Sequence, residues 1–205
     1  MELKRTGIMG GTFDPPHLGH LAIAKSAKEQ FALDEVLFIP SGTPYMKKNK
    51  KILPGLIRMD MTELAVADIP FFSVSSIEIE KEGNTYTYET LQDLRKSEPE
   101  TEYFFIMGAD SLWSIENWKE PGRIFADCRV LAAIRDDKSR EDMEAHAAYL
   151  KEKFAADISL LQTEQIEVSS SMIRHLCEKG NVSAIRAYVP DTVYQYILRN
   201  QLYQE

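Results

Sequence analysis

Two histidines and two adjacent glycines near the start of the chain have the spacing of an anion-binding site. Residues 10–20 read GGTFDPPHLGH and follow the apolar pair Ile8-Met9. This order predicts a strand, a tight turn and a helix start, where glycines let a ligand approach the backbone and unpaired N–H groups attract negative charge. His17 and His20 are three residues apart, so on a helix they share one face and can reach one ligand. A plain turn with two surface histidines is the simpler alternative, but four unusual residue choices in one short stretch favour nucleotide phosphates.

A second stretch with phosphate-binding chemistry lies near the other end of the chain. Residues 168–174 read VSSSMIR. Serines suit the N-cap of a helix, hydroxyl and backbone groups can donate to phosphate oxygens, and Arg174 lies one turn further into the helix. Taken alone, this stretch favours a capped helix with a surface arginine. The dinucleotide fingerprint G-x-G-x-x-G and the P-loop pattern are both absent from the sequence.

Composition restricts the class of protein. The chain has 205 residues, 44% of them hydrophobic and 27% charged, which predicts a single globular domain over residues 1–205. It has neither an apolar run of membrane-spanning length nor a signal peptide, and Cys128 and Cys177 lie outside any zinc-binding spacing, so we expect a cytoplasmic protein that does not enter a membrane. A net charge of −8 argues against broad nucleic-acid binding but allows a local positive pocket. The candidates for that pocket are His17, His20, Lys47, Lys48, Arg135 and Arg174.

Strand-like and helix-like segments alternate along the chain. We expect strands at 4–9, 35–40, 71–79, 103–107, 129–134 and 158–161, and helices at 18–31, 56–68, 87–96 and 140–154, with a short helix after 108–110 and two more opening at Ser169 and after Pro190. The alternation predicts an α/β fold, a Rossmann-like, doubly wound parallel sheet with helices on both faces. Ligands of such sheets bind beyond the carboxyl ends of the strands, where residues 10–11, 40–41, 108–110 and Arg135 should lie.

These motifs resemble those of a known family. His17-Leu18-Gly19-His20 is identified as the HxGH signature of the nucleotidyltransferase superfamily, and residues 10–20 resemble the opening of bacterial nicotinate-nucleotide adenylyltransferases. Residues 168–174 are similar to the superfamily's ISSTxIR signature, with Val for Ile and Ser for Thr. The resemblance covers nearly the whole chain. It implies transfer of an adenylyl group from ATP to nicotinate mononucleotide, giving deamido-NAD and pyrophosphate, a step of NAD biosynthesis.

The resemblance also implies roles for individual residues. The catalytic residues acting on the ATP phosphates would be His17, His20 and Arg174. Further contacts to ATP would come from Gly10, Gly11, Thr12, Phe13, Gly108, Asp110, Arg135, Ser170 and Ser171. Nicotinate mononucleotide would be bound by Lys47, Tyr86, Thr87 and Trp118.

Several of these assignments have alternatives. An indole can stack on an electron-poor pyridinium, although Trp118 could also be a core residue and Asp110 a helix cap. The family usually carries PPHK where this chain has Pro44-Tyr45-Met46-Lys47, so the choice between Lys47 and Lys48 for a phosphate contact stays open.

The motifs are also compatible with other functions. Because no carboxylate cluster resembles a metal cage, we expect Mg²⁺ to be delivered with ATP. The same chemistry on nicotinamide mononucleotide or phosphopantetheine is an alternative, as is a non-catalytic nucleotide sensor. The acidic balance disfavours an RNA-binding adaptor, and homo-oligomer formation stays open.

Overall fold

The first strand of the chain lies in the middle of a six-stranded parallel sheet. The computed structural model describes residues 3–43, 52–134, 139–164 and 166–204. Its strands lie in the order β3-β2-β1-β4-β5-β6. Since the chain builds outward from β1 in one direction and then from β4 in the other, the strand order reverses between β1 and β4. The strands are β1 (Lys4–Gly11), β2 (Glu35–Pro40), β3 (Phe72–Val74), β4 (Thr101–Gly108), β5 (Arg129–Ala133) and β6 (Ile158–Leu161).

Helices connect successive strands, as the parallel pairing requires. The predicted Rossmann-like, doubly wound class is confirmed. Two short 3₁₀ helices, Ile115–Asn117 and Val182–Ala187, complete the described secondary structure. None of the helices within the described ranges is long and apolar enough to cross a membrane. The α-helices are α1 (Leu18–Gln30), α2 (Gly55–Val66), α3 (Thr87–Ser97), α4 (Ala109–Ser114), α5 (Pro121–Asp127), α6 (Arg140–Phe154), α7 (Ser170–Glu178) and α8 (Asp191–Arg199).

The central strand β4 shows why the sheet needs helices on both faces. Its aromatic run is buried, and alternate side chains belong to two separate cores. Phe104 and Ile106 join the core that contains α1, α7 and α8, whereas Tyr103, Phe105 and Met107 join the core under α3, α4 and α6. A strand buried on both faces carries a continuous apolar run in place of an alternating one.

One strand prediction was too long and one α-helix was missed. Of residues 71–79 only Phe72–Val74 pair with β2. The main-chain N–H of Ser75 still donates to the carbonyl of Phe38 at 2.9 Å, and the chain then turns, while Ile77 packs against the core without strand pairing. The alternation of residues 71–79 therefore reflects which side chains are buried and does not mark an extended strand along the whole segment. Helix α5 was not predicted because its seven residues are too few for a helical period to emerge.

Candidate functional site

At the end of β1, the ring of Phe13 packs closely against Gly11. A Cβ atom at Gly11 would lie 2.9 Å from the ring of Phe13, so any larger residue would collide with that ring. Phe13 has φ +50° and is 2% exposed, and its ring also meets the His20 ring edge-on at 5.1 Å. Gly10 stays exposed beside it. The loop thus presents backbone at the carboxyl end of the central strand, where the sequence predicted a phosphate turn.

The two histidines of the HxGH motif form a single unit at the N-terminus of α1. His17 is the N-cap, and its main-chain N–H donates to Nδ1 of His20 at 3.1 Å. Their rings stack with centroids 3.6 Å apart. Because Nδ1 of His20 accepts this bond, the neutral ring carries its proton on Nε2. The ring therefore carries its N–H on the side opposite to the cap.

The serine-rich motif meets the first motif directly. Ser169 caps α7 by accepting from the main-chain N–H of Met172 at 3.2 Å, and the Ser170 hydroxyl donates to the carbonyl of Pro15 at 2.8 Å. One turn further, Nη1 of Arg174 donates to the carbonyl of Asp14 at 2.6 Å. Two hydrogen bonds across more than 150 residues of sequence thus join the N-terminus of α7 to the loop after β1.

Close packing explains why the HxGH motif has a glycine at position 19. A Cβ atom there would lie 3.1 Å from both Nδ1 of His17 and Cγ1 of Val168. Val168 immediately precedes the serines, so the glycine lets the two motifs pack against each other. The main-chain N–H of Leu18 donates to the carbonyl of Tyr188 at 2.8 Å, which ties the same helix start to the C-terminal region.

A buried carboxylate lies beneath this junction. Asp14 is 3% exposed, and its Oδ1 accepts from the Tyr203 hydroxyl at 2.7 Å. Nη1 of Arg174 lies 3.9 Å from its other carboxylate oxygen. Burial, together with the Asp14 charge, raises the pKa of Tyr203 well above its usual value, so this hydroxyl remains a donor. Asp14 lies within the GGTFDPPHLGH motif, but the sequence pattern predicted no role for it.

Arg58 is a second residue that the sequence analysis missed. It is 2% exposed and donates to the carbonyls of Thr12 (2.7 Å), Ser41 (2.6 Å), Gly42 (3.0 Å) and Leu53 (2.9 Å). Burial lowers the pKa of this guanidinium, yet its four carbonyl partners suit a charged donor. Arg58 therefore holds the loops after β1 and β2 together.

A signal for Arg58 was present in the sequence. It lies on the same helical stripe as Met61, Thr62 and Ala65, which are all buried. A charged residue on the apolar stripe of a helix must find partners inside the protein, and that points to a structural or functional centre.

The end of β4 forms the neighbouring wall. Gly108 is the N-cap of α4, so Asp110 is not the helix cap. Asp110 is exposed in the first turn of α4. A Cβ atom at Gly108 would meet open space. Trp118 packs edge-on against Phe105 at 6.2 Å, and the Phe105 ring would lie 3.4 Å from a Cβ at Gly10. Trp118 is thus linked through one ring to the loop after β1.

The start of α3 lies against the loop after β2. Tyr86 is the N-cap of α3 and Thr87 its first residue. A Cβ at Gly42 would lie 3.0 Å from Cγ2 of Thr85, so the two loops touch. In these walls, Oγ of Ser41, Oγ1 of Thr85 and Nε1 of Trp118 are buried without a hydrogen-bond partner among the described residues. Buried donors without partners are rare in folded proteins, which makes these three candidates for ligand contacts.

The structure thus brings the N-terminal and C-terminal motifs together and leaves some predicted residues undescribed. Lys47, Lys48 and Arg135 lie outside the described residues. Ser171 is exposed, and its hydroxyl lies 3.0 Å from that of Ser169. Across the described ranges, no group of three or more His, Cys, Asp or Glu side chains could hold a metal ion.

The chain is similar in sequence to known proteins along nearly its whole length. Residues 8–176 match the sequence model of the cytidylyltransferase-like family. A probable nicotinate-nucleotide adenylyltransferase of Lachnoclostridium phytofermentans is 42% identical over 98% of the chain and 100% of its own length. A relative of the same name from Dehalococcoides mccartyi is 40% identical over 99% of the chain and 98% of its own length.

Solved structures show the same fold at low identity. A Plasmodium falciparum nicotinic acid mononucleotide adenylyltransferase complexed with NaAD has a TM-score of 0.79 at 19% identity, covering 98% of this chain and 97% of its own. The same protein complexed with APC has a TM-score of 0.77 at 19% identity and equal coverage.

Proposed function

Because the chain belongs to the cytidylyltransferase-like family and, within it, to the nicotinate-nucleotide adenylyltransferases, we propose that it transfers an adenylyl group from ATP to nicotinate mononucleotide. The products are deamido-NAD and pyrophosphate, and the reaction is a step of NAD biosynthesis. The single observation that carries the proposal is the junction of the two motifs, where Ser170 and Arg174 bind the carbonyls of Pro15 and Asp14.

The proposed chemistry needs no protein nucleophile. The phosphate of the mononucleotide is already ionised at neutral pH, so one of its oxygens attacks the α-phosphorus of ATP in line and pyrophosphate leaves. Catalysis then consists of positioning the reactants and stabilising negative charge on the phosphates. A preorganised set of N–H donors supplies both.

We assign those donors to the two junction motifs. Nε2 of His20, set as a donor by the bond to its Nδ1, would face the phosphates together with His17. The N-terminus of α7 adds main-chain N–H groups and a favourable dipole. Since the Ser170 hydroxyl hydrogen is used on Pro15, Ser170 and Ser171 would contact phosphate mainly through their main-chain N–H groups. Arg174 would extend from its bond with Asp14 toward the phosphates.

The remaining assignments complete the two substrate pockets. Backbone of the loop from Gly10 to Phe13, with Gly108, Asp110 and Arg135, would bind the rest of ATP. Mg²⁺ would enter as part of the substrate, bound to the ATP phosphates and retaining most of its waters. Residues Tyr86, Thr87 and Trp118, with Lys47, would bind the mononucleotide. In that arrangement its pyridine ring would lie near the buried Oγ of Ser41, Oγ1 of Thr85 and Nε1 of Trp118, which lack partners in the described ranges.

Product identification tests the function. Purified protein is incubated with MgATP and, separately, nicotinate mononucleotide, nicotinamide mononucleotide or phosphopantetheine, and the products are identified by mass. We expect deamido-NAD from the first acceptor, with pyrophosphate released in equal amount. Binding of ATP without pyrophosphate release from any acceptor would instead indicate a nucleotide sensor.

A further inference from the structure

The C-terminal tail reaches the phosphate-binding loop through one hydroxyl. Tyr203 donates to Oδ1 of Asp14 at 2.7 Å although the two residues are 189 positions apart. Its oxygen also lies 3.9 Å from Sδ of Met61, which is fully buried. The hydroxyl is therefore held between the loop after β1 and helix α2.

The C-terminal segment follows a defined path. Thr192 and Tyr196 dock α8 on α2 by donating to the carbonyl of Leu64 and to Oδ2 of Asp60, both at 2.7 Å. The chain then turns, with Gln201 at φ +50° and Tyr203 at φ +62°. Non-glycine residues rarely adopt positive φ, and such conformations persist only where the surroundings impose them. Here the turn carries the Tyr203 hydroxyl to Asp14.

Asp14 needs partners because it is a buried charge. An unpaired carboxylate in the interior is strongly unfavourable. The Tyr203 hydroxyl and the Arg174 guanidinium lie next to this one, and the buried Arg58 also interacts with its charge. The main chain of Asp14 also accepts the bond that Arg174 makes at 2.6 Å. Whatever fixes the Asp14 side chain therefore also fixes the carbonyl that orients Arg174.

We propose that Tyr203 is a positioning residue for the ATP-phosphate site, acting through Asp14 on the loop after β1 and on Arg174. This role rests on the proposed function for its kinetic readout. Tyr203 does not touch the reacting atoms. Its hydroxyl completes the shell of Asp14, and the Asp14 carbonyl then holds Arg174 in register with the histidine pair.

The chain provides a matched control. Tyr196 makes the same kind of bond, a tyrosine hydroxyl to an aspartate at 2.7 Å, from the same C-terminal region onto α2. Its partner Asp60 lies at the surface groove between α2 and α8, not in the loop after β1. Tyr203→Phe and Tyr196→Phe each remove one oxygen and keep the ring.

The experiment compares the parent, both phenylalanine variants, Asp14→Ala and the double variant Asp14→Ala/Tyr203→Phe. We expect Tyr203→Phe to raise KM for ATP about 10-fold while KM for nicotinate mononucleotide changes less than about 2-fold, since one hydrogen bond to a buried charge is lost. Tyr196→Phe should leave both constants within about 2-fold of the parent. In the Asp14→Ala background, Tyr203→Phe should add less than about 2-fold, because the two changes remove the same interaction.

Several outcomes would overturn the role of Tyr203. One is a KM for ATP in Tyr203→Phe no higher than in Tyr196→Phe, and another is an equal rise for both substrates. Circular dichroism checks folding, and if Tyr203→Phe does not fold, an Asp14→Ala variant with parental KM for ATP would refute the proposal. If the parent makes no deamido-NAD, the proposed function fails, and calorimetric ATP affinity of the same variants still decides the role of Tyr203.

Discussion

The main-chain N–H of His17 donates to Nδ1 of His20 at 3.1 Å, and the two rings stack with centroids 3.6 Å apart. This one bond both caps α1 and sets the tautomer of His20. The stability of the helix start and the position of the ring proton therefore depend on the same atoms. A spacing of three residues at a helix start is what makes this possible, since it brings the second side chain back to the first N–H.

His20→Ala should reduce kcat by about 10²–10³, the usual effect of losing one preorganised donor to a charged transition state. The loss of its cap should also lower the free energy of unfolding by about 1 kcal/mol. Initial-rate assays and urea unfolding measure the two effects. His175→Ala, on the exposed side of α7, is the control and should match the parent. A His20→Ala variant with near-parental kcat would refute the assignment.

Arg174→Lys should raise KM for ATP and leave KM for the mononucleotide nearly unchanged. Lysine keeps the charge, but an ammonium cannot hold the Asp14 carbonyl and grip phosphate oxygens with the planar geometry of a guanidinium. Steady-state kinetics with each substrate varied in turn measure this difference. Arg186→Lys changes an exposed ion pair with Asp191 and serves as the control. Equal rises in both constants would place Arg174 outside the ATP site.

Arg58→Lys should lower the free energy of unfolding by at least about 3 kcal/mol, because several buried carbonyls lose their donor. Since those carbonyls include residues of the loops after β1 and β2, which we propose bind the two substrates, kcat/KM should fall for both substrates together. Urea unfolding and kinetics check the two effects. The matched change Arg199→Lys, at the exposed end of α8, should alter neither quantity. An Arg58→Lys variant of parental stability would contradict the structural role.

Acceptor choice should depend on the walls formed by α3 and Trp118. We expect about 10- to 10³-fold preference for the nicotinate over the nicotinamide mononucleotide in kcat/KM, because an amide turned toward N–H donors leaves polar groups unpaired. Thr87→Val should shrink the preference by weakening the acid, whereas Trp118→Ala should weaken both acceptors. Trp113→Ala, on the exposed face of α4, is the control. Equal use of both acceptors by the parent would leave only the adenylyltransferase class.

Cys128 should make stability depend on alkaline pH. Burial raises the pKa of its thiol to about 12, and Sγ donates to the carbonyl of Ile124. A folded-state pKa raised above the unfolded value of about 8.5 gives stability that is complete below pH 8.5 and is lost as pH rises toward 12. Between pH 8 and pH 10 the parent should lose about 2 kcal/mol more unfolding free energy than Cys128→Ala. Identical pH dependence of the two proteins would contradict this.

Several parts of the molecule were determined by the sequence alone. The pattern of residues 10–20 predicted the strand, turn and helix that the structure shows. This was possible because glycine, proline and a histidine at the helix start influence only the backbone of nearby residues. Residues 103–107 were likewise predicted as a strand, and the structure shows their continuous apolar run buried on both faces. The alternation of these elements was enough to predict a parallel sheet and the edge at which its motifs meet.

Only the tertiary structure decided which groups meet at that edge. The partners of Asp14, its bond to Tyr203 above all, come from the far end of the chain, and no local pattern encodes a contact over 189 residues. Arg58 needed four carbonyls from three separate segments before its burial became favourable. The short extent of β3 was likewise decided by the path of the chain, which turns at residues 77–79 although its neighbour β2 continues to Pro40. Local residue patterns determine where helices and strands form. Whether a charged side chain can be buried depends on partners that come from distant parts of the chain and meet only in the folded structure.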